Sequence, residues 1–298
     1  MRSWRDMTGK ICLVTGATSG IGRATALALA RKGATLIGVG RDRVRCERSA
    51  ETIVRESGNY QVEFWQADLS SQAEVRAIAR RLSAVHPRLD LLVNNAGGRF
   101  DRRVTTAEGM EMTFALNHLG YFLLTLLLIE RLRVAGRARV VNVASAAHRA
   151  CPGMNFDDLN LERDYDGRRA YVQSKLANLL FTYELARRLE GSGISANAAA
   201  PGNVLTRFAL NNGLRSWLSH IAGSLRSGRL VGPRRAARTV LYLACADDVA
   251  DKSGGYYFEE QETDSSPASY DQAAAERLWR ASLELTGLAD QARQGRLP

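Results

Sequence analysis

The chain has 298 residues, of which 45% are hydrophobic and 24% are charged, and it carries a net charge of +10. This composition is ordinary for a soluble globular protein. The positive charge alone would suggest a nucleic-acid partner, but the basic residues are spread along the chain and form no basic arm. We therefore expect no nucleic-acid partner, and only a small positive site for a phosphorylated cofactor.

The spacing of the cysteines and the length of the apolar segments indicate in which cellular compartment the protein is expected. Cys12, Cys46, Cys151 and Cys245 form no C-x-x-C pair and have no close histidine partner. This spacing predicts neither a disulfide framework nor a metal site, and it fits a reducing cytoplasm. The N-terminus lacks the apolar core of a signal peptide, and the most apolar run, 121–129, is too short to cross a bilayer. We therefore expect a cytoplasmic protein without a membrane anchor.

Strand-like and helix-like segments alternate along the chain. The predicted strands cover 10–16, 34–40, 61–69, 89–97, 138–145, 194–202 and 254–258. The predicted helices cover 20–33, 43–58, 71–85, 106–133, 170–190 and 233–245. This alternation predicts an α/β fold in which a seven-stranded parallel sheet has helices on both faces. Two long segments, 146–169 and 203–232, interrupt the pattern, and ordered loops of this length are often functional.

A glycine-rich turn, TGATSGIG, lies between the first strand and the first helix. Gly16, Gly20 and Gly22 let the backbone turn tightly and approach a pyrophosphate, which the helix N-terminus would then hold. A tight turn that binds nothing would contain similar glycines. Its position on the first βα connection nevertheless favours a dinucleotide site.

The end of the second strand bears on the choice between NAD and NADP. An NAD-binding chain usually has an acidic residue there, whereas this chain has Gly40 followed by Arg41. A guanidinium binds a 2′-phosphate through paired hydrogen bonds, and Arg23 would assist. We therefore predict NADP, the alternative being that Arg41 is an ordinary surface charge. Asp68 would accept a hydrogen bond from the adenine amino group, and 94–97 would pack under the adenine ribose.

The fifth predicted helix carries a phenol and an ammonium on one face, because Tyr171 and Lys175 are four residues apart. A tyrosine with a pKa of about 10 is a poor base, and a nearby ammonium would lower that pKa. Tyr171 would then exchange a proton with a carbonyl or alcohol oxygen, which Ser145 would also hydrogen-bond. Asn117, a poor helix former inside the fourth predicted helix, would distort that helix and hold a water near Lys175.

These motifs resemble the short-chain dehydrogenase/reductase family, through TGATSGIG, NNAG, Ser145 after VNVA, and YVQSK. The segments FALNHLGYFLLT, NFDDLN and AYVQSKLANLLFTYELARRLEG are similar, more narrowly, to its retinol dehydrogenase and WW-domain oxidoreductase branch. The resemblance implies one Rossmann-type domain over residues 1–298 and a proton-handling tetrad of Asn117, Ser145, Tyr171 and Lys175. It also implies that 201–206 holds the nicotinamide carboxamide and that 203–232 closes over the substrate as a lid.

The turn, the strand ends and the resemblance together give one set of expected NADP-binding residues. They are Gly16, Thr18, Ser19, Gly20, Ile21, Gly22, Arg41, Asp68, Leu69, Asn95, Ala96, Gly97, Tyr171, Lys175, Pro201, Gly202, Val204 and Thr206. The two histidines nearest these motifs, His118 and His148, are not assigned to the catalytic set, since a packed structural histidine is at least as common.

The predicted function is hydride transfer between NADP(H) and a carbonyl or alcohol group of a small molecule. Aromatic and aliphatic residues in the segment 203–232 favour a bulky, mostly apolar substrate, whereas the arginines among them argue against a uniformly apolar pocket. The excess of arginine over lysine is typical of a GC-rich genome, so we expect a ketoreductase of bacterial secondary, polyketide-like metabolism. A generalist aldehyde or retinal-type carbonyl reductase is the alternative enzyme, and a non-catalytic NADP-sensing regulator is the alternative of another class. The protein would be a monomer or a homodimer.

Overall fold

The computed structural model describes residues 5–204 and 230–298. Its central sheet has eight strands in the order β10-β9-β6-β5-β4-β1-β2-β3, and a separate two-stranded sheet pairs β7 with β8. The strands are β1 Ile11–Thr15, β2 Thr35–Gly40, β3 Val62–Gln66, β4 Leu91–Asn94, β5 Ala138–Val143, β6 Ile194–Ala200, β7 Asn203–Val204, β8 Leu230–Val231, β9 Tyr256–Phe258 and β10 Gln261–Glu262.

Seven of the eight central strands are parallel, which confirms the predicted parallel sheet. The eighth strand, β10, runs antiparallel to β9 and was not predicted. The turn between them contains Glu259 and Glu260, both with positive φ (49° and 63°). Tight hairpin turns of this kind normally contain asparagine or glycine, so two glutamates give no turn signal.

The helices lie on both faces of the sheet, as predicted. They are α1 Gly20–Arg31, α2 Arg43–Ser57, α3 Gln72–Val85, α4 Met112–Phe114, α5 Gly120–Leu127, α6 Ile129–Val134, α7 Gly167–Arg188, α8 Pro233–Cys245, α9 Gln272–Leu285 and α10 Ala289–Arg293. The helix predicted over 106–133 therefore begins later and is divided into three, and a π-helical segment, Ala115–Leu119, separates α4 from α5. The helix α9 was not assigned from the sequence.

Alternate residues of each strand point to opposite faces, so the chain builds two main cores. In β1, Leu13 packs with residues of α3, α5 and α7 on one face. Its neighbours Cys12 and Val14 pack with residues of α1 and α8 on the other. Because all seven parallel strands point the same way, their carboxyl ends meet at one edge, where an open α/β sheet binds its ligands.

Candidate active site

The glycine-rich turn after β1 has almost no room for side chains. A Cβ atom at Gly22 would lie 2.3 Å from the Gly16 carbonyl oxygen and 2.4 Å from Asn95 Nδ2. Gly16 itself has a positive φ of 64°. The Thr15 hydroxyl accepts hydrogen bonds from the backbone N–H groups of Asn95 (2.8 Å) and Ala96 (3.0 Å). The turn is thus fixed to the segment after β4 in the close-backbone shape that a bound pyrophosphate requires.

A cavity of about 210 Å³ opens beside this turn. It brings together most of the predicted cofactor residues, namely Gly16, Thr18, Ser19, Gly20, Ile21, Arg41, Asp68, Leu69, Asn95, Ala96 and Gly97. It is also lined by residues that the sequence analysis missed, namely Val39, Gly40, Asp42, Arg45, Ala67 and Leu116. Gly22 does not line the cavity and supports it from behind, through its close approach to Gly16.

Two arginines line this cavity near the end of β2: Arg41, directly after the strand, and Arg45, in the first turn of α2. A Cβ at Gly40 would lie 2.5 Å from Thr18 Cγ2 and 3.1 Å from Cys46 Sγ. An acidic side chain at Gly40, which would repel a 2′-phosphate, therefore does not fit. Arg45 reaches the cavity because it lies in the first turn of α2, one turn beyond the strand end.

Two predicted contacts of the nucleotide, those of Arg23 and Asn94, need correction. Arg23 does not line the cavity, and its guanidinium lies 4.0 Å from Glu56. Asn94 does not lie under a ribose: its side chain is fully buried and donates to Thr125 Oγ1 and Asn142 Oδ1. It faces α5 because it is two residues beyond Leu92 on the same strand. Asp68 lines the cavity, where its Oδ1 accepts hydrogen bonds from the backbone N–H and hydroxyl of Ser70. Its contact with the adenine amino group stays a prediction.

The predicted tetrad comes together at the same sheet edge. Ser145 follows β5 and its hydroxyl hydrogen-bonds the phenol of Tyr171 in α7. The Lys175 ammonium is buried, donates to the Val143 carbonyl at 3.1 Å and lies 5.8 Å from the centre of the Tyr171 ring. Asn117 lies in the π-helical segment, where the sequence analysis expected a distortion. Its side chain donates to the Gly98 carbonyl and to Ser174 Oγ, both at 2.9 Å.

Gly97 lies between the tetrad and the cavity. A Cβ at Gly97, which lines the cavity, would lie 3.1 Å from Asn117 Oδ1 and 3.8 Å from Lys175 Nζ. The cavity therefore adjoins the tetrad at Asn117 and Lys175.

Burial dominates the pKa values of the two titratable tetrad residues. It raises the pKa of Tyr171, and the hydrogen bond from Ser145 and the positive charge of Arg99 offset part of this rise. Burial lowers the pKa of Lys175 to about 8. The protein alone therefore does not lower the pKa of the tyrosine as the sequence analysis expected, because desolvation outweighs its favourable contacts.

The remaining predicted cofactor residues follow β6. Pro201 and Gly202, which has a positive φ of 76°, do not line the cavity, and Val204 pairs with Val231 in the small second sheet. Thr206 lies outside the described residues, as does most of the predicted lid, 203–232.

A larger cavity, of about 800 Å³, lies at the amino ends of β5 and β6, lined in part by Arg139 and Ser195. Neither the glycine-rich turn nor the tetrad contributes to it. Of the two cavities, the smaller one lies against the glycine-rich turn and the N-terminus of α1, and its lining residue Gly97 adjoins Asn117 and Lys175 of the tetrad. In residues 5–204 and 230–298, no group of three or more His, Cys, Asp or Glu side chains is placed to hold a metal ion.

Comparison with known proteins decides the family, because residues 10–216 match the model of the short chain dehydrogenases. The chain belongs to the short-chain dehydrogenase/reductase family. Human retinol dehydrogenase 13 is 41% identical over 294 residues, which cover 97% of this chain and 88% of that protein. Mouse retinol dehydrogenase 12 is 41% identical over 283 residues, covering 95% of this chain and 88% of that protein.

A solved structure that resembles this short-chain dehydrogenase/reductase is an active-site complex of Pseudomonas aeruginosa RhlG with NADP. It has a TM-score of 0.69 and 30% identity, and the match covers 86% of this chain and 96% of the RhlG chain. An uncharacterized protein from Mycobacterium paratuberculosis has a TM-score of 0.76 and 35% identity, with 96% of both chains covered. These relatives confirm the family, its retinol dehydrogenase-like branch and the Rossmann fold. The chain is therefore an NAD(P)-dependent oxidoreductase that acts on carbonyl or alcohol groups.

All four cysteines are buried free thiols. Among the helices of residues 5–204 and 230–298, none combines the length and the apolar character needed to cross a membrane. His118 is fully buried, with its Nε2 2.8 Å from Ser282 Oγ in α9, and burial lowers its pKa to about 3. This histidine is far from ionising at neutral pH.

Proposed function

We propose that this enzyme transfers hydride between NADP(H) and the carbonyl or alcohol carbon of a bulky, mostly apolar, retinoid-type small molecule. The observation that carries the proposal is the hydrogen bond between Ser145 and Tyr171, with Lys175 buried beside them at the end of a glycine-lined cavity. In such an arrangement two hydroxyl groups converge on one substrate oxygen.

The residues present fit a nicotinamide dinucleotide. The Cβ positions at Gly16 and Gly22 are occupied by neighbouring backbone, so the turn leaves its surface free for a pyrophosphate. The N-cap residue of α1, Ser19, makes no side-chain capping hydrogen bond, so the N-terminus of this helix keeps donors for an anion. When bound, the cofactor supplies or accepts the hydride.

Tyr171 would transfer the proton. Because burial raises its pKa, the phenol is protonated at neutral pH and is ready to donate to a carbonyl oxygen as hydride arrives. Ser145 would donate to the same oxygen as negative charge develops on it. The Lys175 ammonium would stabilise the phenolate left on Tyr171. In the oxidative direction Tyr171 must first lose its proton, so we expect alcohol oxidation to accelerate as the pH rises.

The preference for NADP over NAD rests on Arg41 and Arg45. Both arginines line the cavity beyond the end of β2, and their guanidiniums would bind the 2′-phosphate. A Cβ at Gly40 would lie 2.5 Å from Thr18 Cγ2, which disfavours the acidic residue that would bind a free ribose 2′-hydroxyl. The RhlG relative in complex with NADP supports the same choice. Asp42 also lines the cavity, but its side chain accepts a hydrogen bond from the Arg45 backbone N–H at 2.8 Å and caps α2.

The relatives favour a retinoid-type substrate over a polyketide-like one. Two of them are named retinol dehydrogenases and match nearly the whole chain. Of the two enzymes considered from the sequence, the retinal-type carbonyl reductase is thus better supported than the ketoreductase of secondary metabolism. The proposed lid, 203–232, contains Phe208, Trp217 and Leu218, which suit an apolar substrate. A cytoplasmic location remains part of the proposal and is supported by the four free thiols.

The test is protein-dependent oxidation of NADPH and of NADH, followed by absorbance, with all-trans-retinal, bulky ketones and short aldehydes. We expect turnover with retinal, with NADPH strongly preferred over NADH. Equal use of both cofactors would contradict the role of Arg41 and Arg45. Tight NADPH binding without turnover of any carbonyl compound would favour the NADP-sensing regulator instead.

A further inference from the structure

His148 lies three residues after Ser145, in the 3₁₀ turn Ala146–Ala150, and its side chain is fully buried. Its two ring nitrogens have different partners. Nδ1 is 2.6 Å from the carbonyl oxygen of Ser145, and Nε2 is 3.0 Å from the backbone nitrogen of Ser266. The imidazole therefore bridges the catalytic serine and a segment more than one hundred residues later in the chain.

These partners fix the tautomer of His148. The backbone N–H of Ser266 can only donate, so Nε2 must carry no proton and accept this hydrogen bond. The carbonyl of Ser145 can only accept, so Nδ1 must carry the ring proton and donate it. Burial lowers the pKa of His148, which keeps this neutral form at physiological pH. The ring of Tyr256 packs edge-on against the imidazole at 5.2 Å and restricts its orientation.

The hydrogen bond from Nδ1 closes the turn that aims the Ser145 hydroxyl. The same Ser145 carbonyl also accepts from the backbone N–H of His148 at 3.2 Å. The Ser145 hydroxyl accepts from the backbone N–H of Ala147 at 3.2 Å and reaches Tyr171 on its other side. A rotation of the peptide between Ser145 and Ala146 would shift the Ala147 N–H, so the Ser145 hydroxyl would lose the hydrogen bond that holds it towards the tyrosine.

The segment on the other side of the imidazole is itself tied to the helix that carries Tyr171. The Ser265 hydroxyl lies 2.7 Å from the phenol of Tyr183 and 2.6 Å from the Ser269 hydroxyl. Tyr183 lies in α7, about three turns beyond Tyr171. Hydrogen bonds thus lead from Ser145 through His148 to the segment of residues 265–269, and through Tyr183 back to α7.

We propose that His148 is a positioning residue for the hydride-transfer reaction. Its Nδ1–H holds the Ser145 carbonyl, and so keeps the Ser145 hydroxyl directed at Tyr171 and at the substrate oxygen. Its Nε2 locks the turn to the backbone of Ser266. This inference rests on the proposed function, in which Ser145 and Tyr171 act on the same oxygen.

Two amide substitutions separate the two hydrogen bonds. In His148→Asn, the amide nitrogen lies near the position of Nδ1 and still donates to Ser145, whereas the contact with Ser266 is lost. In His148→Gln, the longer amide reaches the position of Nε2 and still accepts from Ser266, whereas the contact with Ser145 is lost. Both variants lose the packing of the imidazole ring against Tyr256, so each serves as the control for this loss in the other. Thermal unfolding of the two variants measures whether they are equally stable.

We expect His148→Asn to keep a kcat close to that of the wild type. In His148→Gln, kcat should fall about tenfold, the value of one lost hydrogen bond, while the KM for NADPH stays unchanged. The reverse order would show that His148 serves only to anchor Ser266. Equal losses in both variants, or no loss in either, would equally overturn the proposal.

A second measurement does not depend on turnover. Titration of Tyr171, followed by NMR of ¹³C-labelled tyrosine and assigned with Tyr171→Phe, should give a higher pKa in His148→Gln than in the wild type and His148→Asn. The reason is that a displaced Ser145 no longer stabilises the phenolate. An unchanged pKa in His148→Gln would overturn the positioning role. If the wild type turns over no carbonyl compound, the proposed function fails while this titration still decides the role of His148.

The wild-type protein provides a test that needs no variant to fold. ¹⁵N NMR of the imidazole should show a protonated Nδ1 and an unprotonated Nε2 at neutral pH. The opposite tautomer, or a charged ring, would overturn the proposal, because neither can make both of the hydrogen bonds on which it rests.

Discussion

The tetrad and the nucleotide cavity lie at the same sheet edge but are built in different ways. In the tetrad, Lys175 and Asn117 are buried, and their polar groups have partners inside the protein. The cavity is instead lined by glycine backbone, at Gly16, Gly20 and Gly97, and by the exposed residue Arg41.

The rate of chemistry and the choice of cofactor are therefore expected to depend on different regions of the enzyme. Burial governs the protonation of the tetrad, because desolvation favours the neutral form of each titratable group. It raises the pKa of Tyr171 and lowers the pKa of Lys175. In the cavity, the charge of the proposed 2′-phosphate would instead be bound by arginine side chains that remain in contact with water. Substitutions in the tetrad should therefore change the rate of chemistry, whereas substitutions around the cavity should change the choice of cofactor.

The largest effect should come from Lys175→Met, which removes the buried charge and keeps an apolar side chain. We expect kcat to fall about a thousandfold, because the phenolate of Tyr171 loses the nearby cation that stabilises it. Steady-state kinetics and NADPH binding by fluorescence would check this. The matched control is Lys252→Met, at an exposed lysine far from the site. A kcat near that of the control would contradict a catalytic role for Lys175.

A smaller effect should follow Arg41→Ala. Loss of a charge-assisted hydrogen bond to the 2′-phosphate, worth about 1.5–3 kcal/mol, should reduce the preference for NADPH over NADH by about fiftyfold with little change in kcat. The ratio of kcat/KM for the two cofactors measures it. Arg43→Ala is the control, since Arg43 is exposed, pairs with Glu47 and does not line the cavity. If both variants shift the ratio equally, Arg41 is only a surface charge.

The smallest effect concerns acid stability. The pKa of His118 is about 3 in the folded protein, against 6.5 when unfolded. The unfolded chain therefore binds more protons below pH 6.5, so stability present above that pH is lost as the pH falls towards 3. For His118 alone this is about 1 kcal/mol between pH 7 and pH 5.5. Urea unfolding at both pH values should show a smaller loss in His118→Gln. An equal loss in the two proteins would contradict this linkage.

The sequence predicted the features of this fold that depend on local patterns. Alternating apolar segments gave the parallel sheet, and the glycines of the first turn marked the cavity. The poor helix propensity of Asn117 indicated the distortion that the structure shows as a π-helical segment. Each of these signals is contained within a few residues.

Features that depend on packing were missed. The burial of Asn94 follows from which face of β4 it occupies, and motif spacing does not reveal that. Arg45 reaches the cavity only because Asp42 caps α2 and orients its first turn. Burial raises the pKa of Tyr171, and this desolvation comes from tertiary packing that the spacing of Tyr171 and Lys175 in the sequence does not show.

The most direct test of the proposed reaction follows the hydride from NADPH to the carbonyl carbon, with and without the phenol of Tyr171. All-trans-retinal would be incubated with NADPH carrying deuterium at the transferable C4 position, and the product analysed by mass spectrometry. We predict retinol with one deuterium at the carbinol carbon from the wild type, and about a thousandfold less product from Tyr171→Phe, with NADPH binding unchanged. Equal product from both proteins would contradict the assignment of Tyr171 as the proton donor.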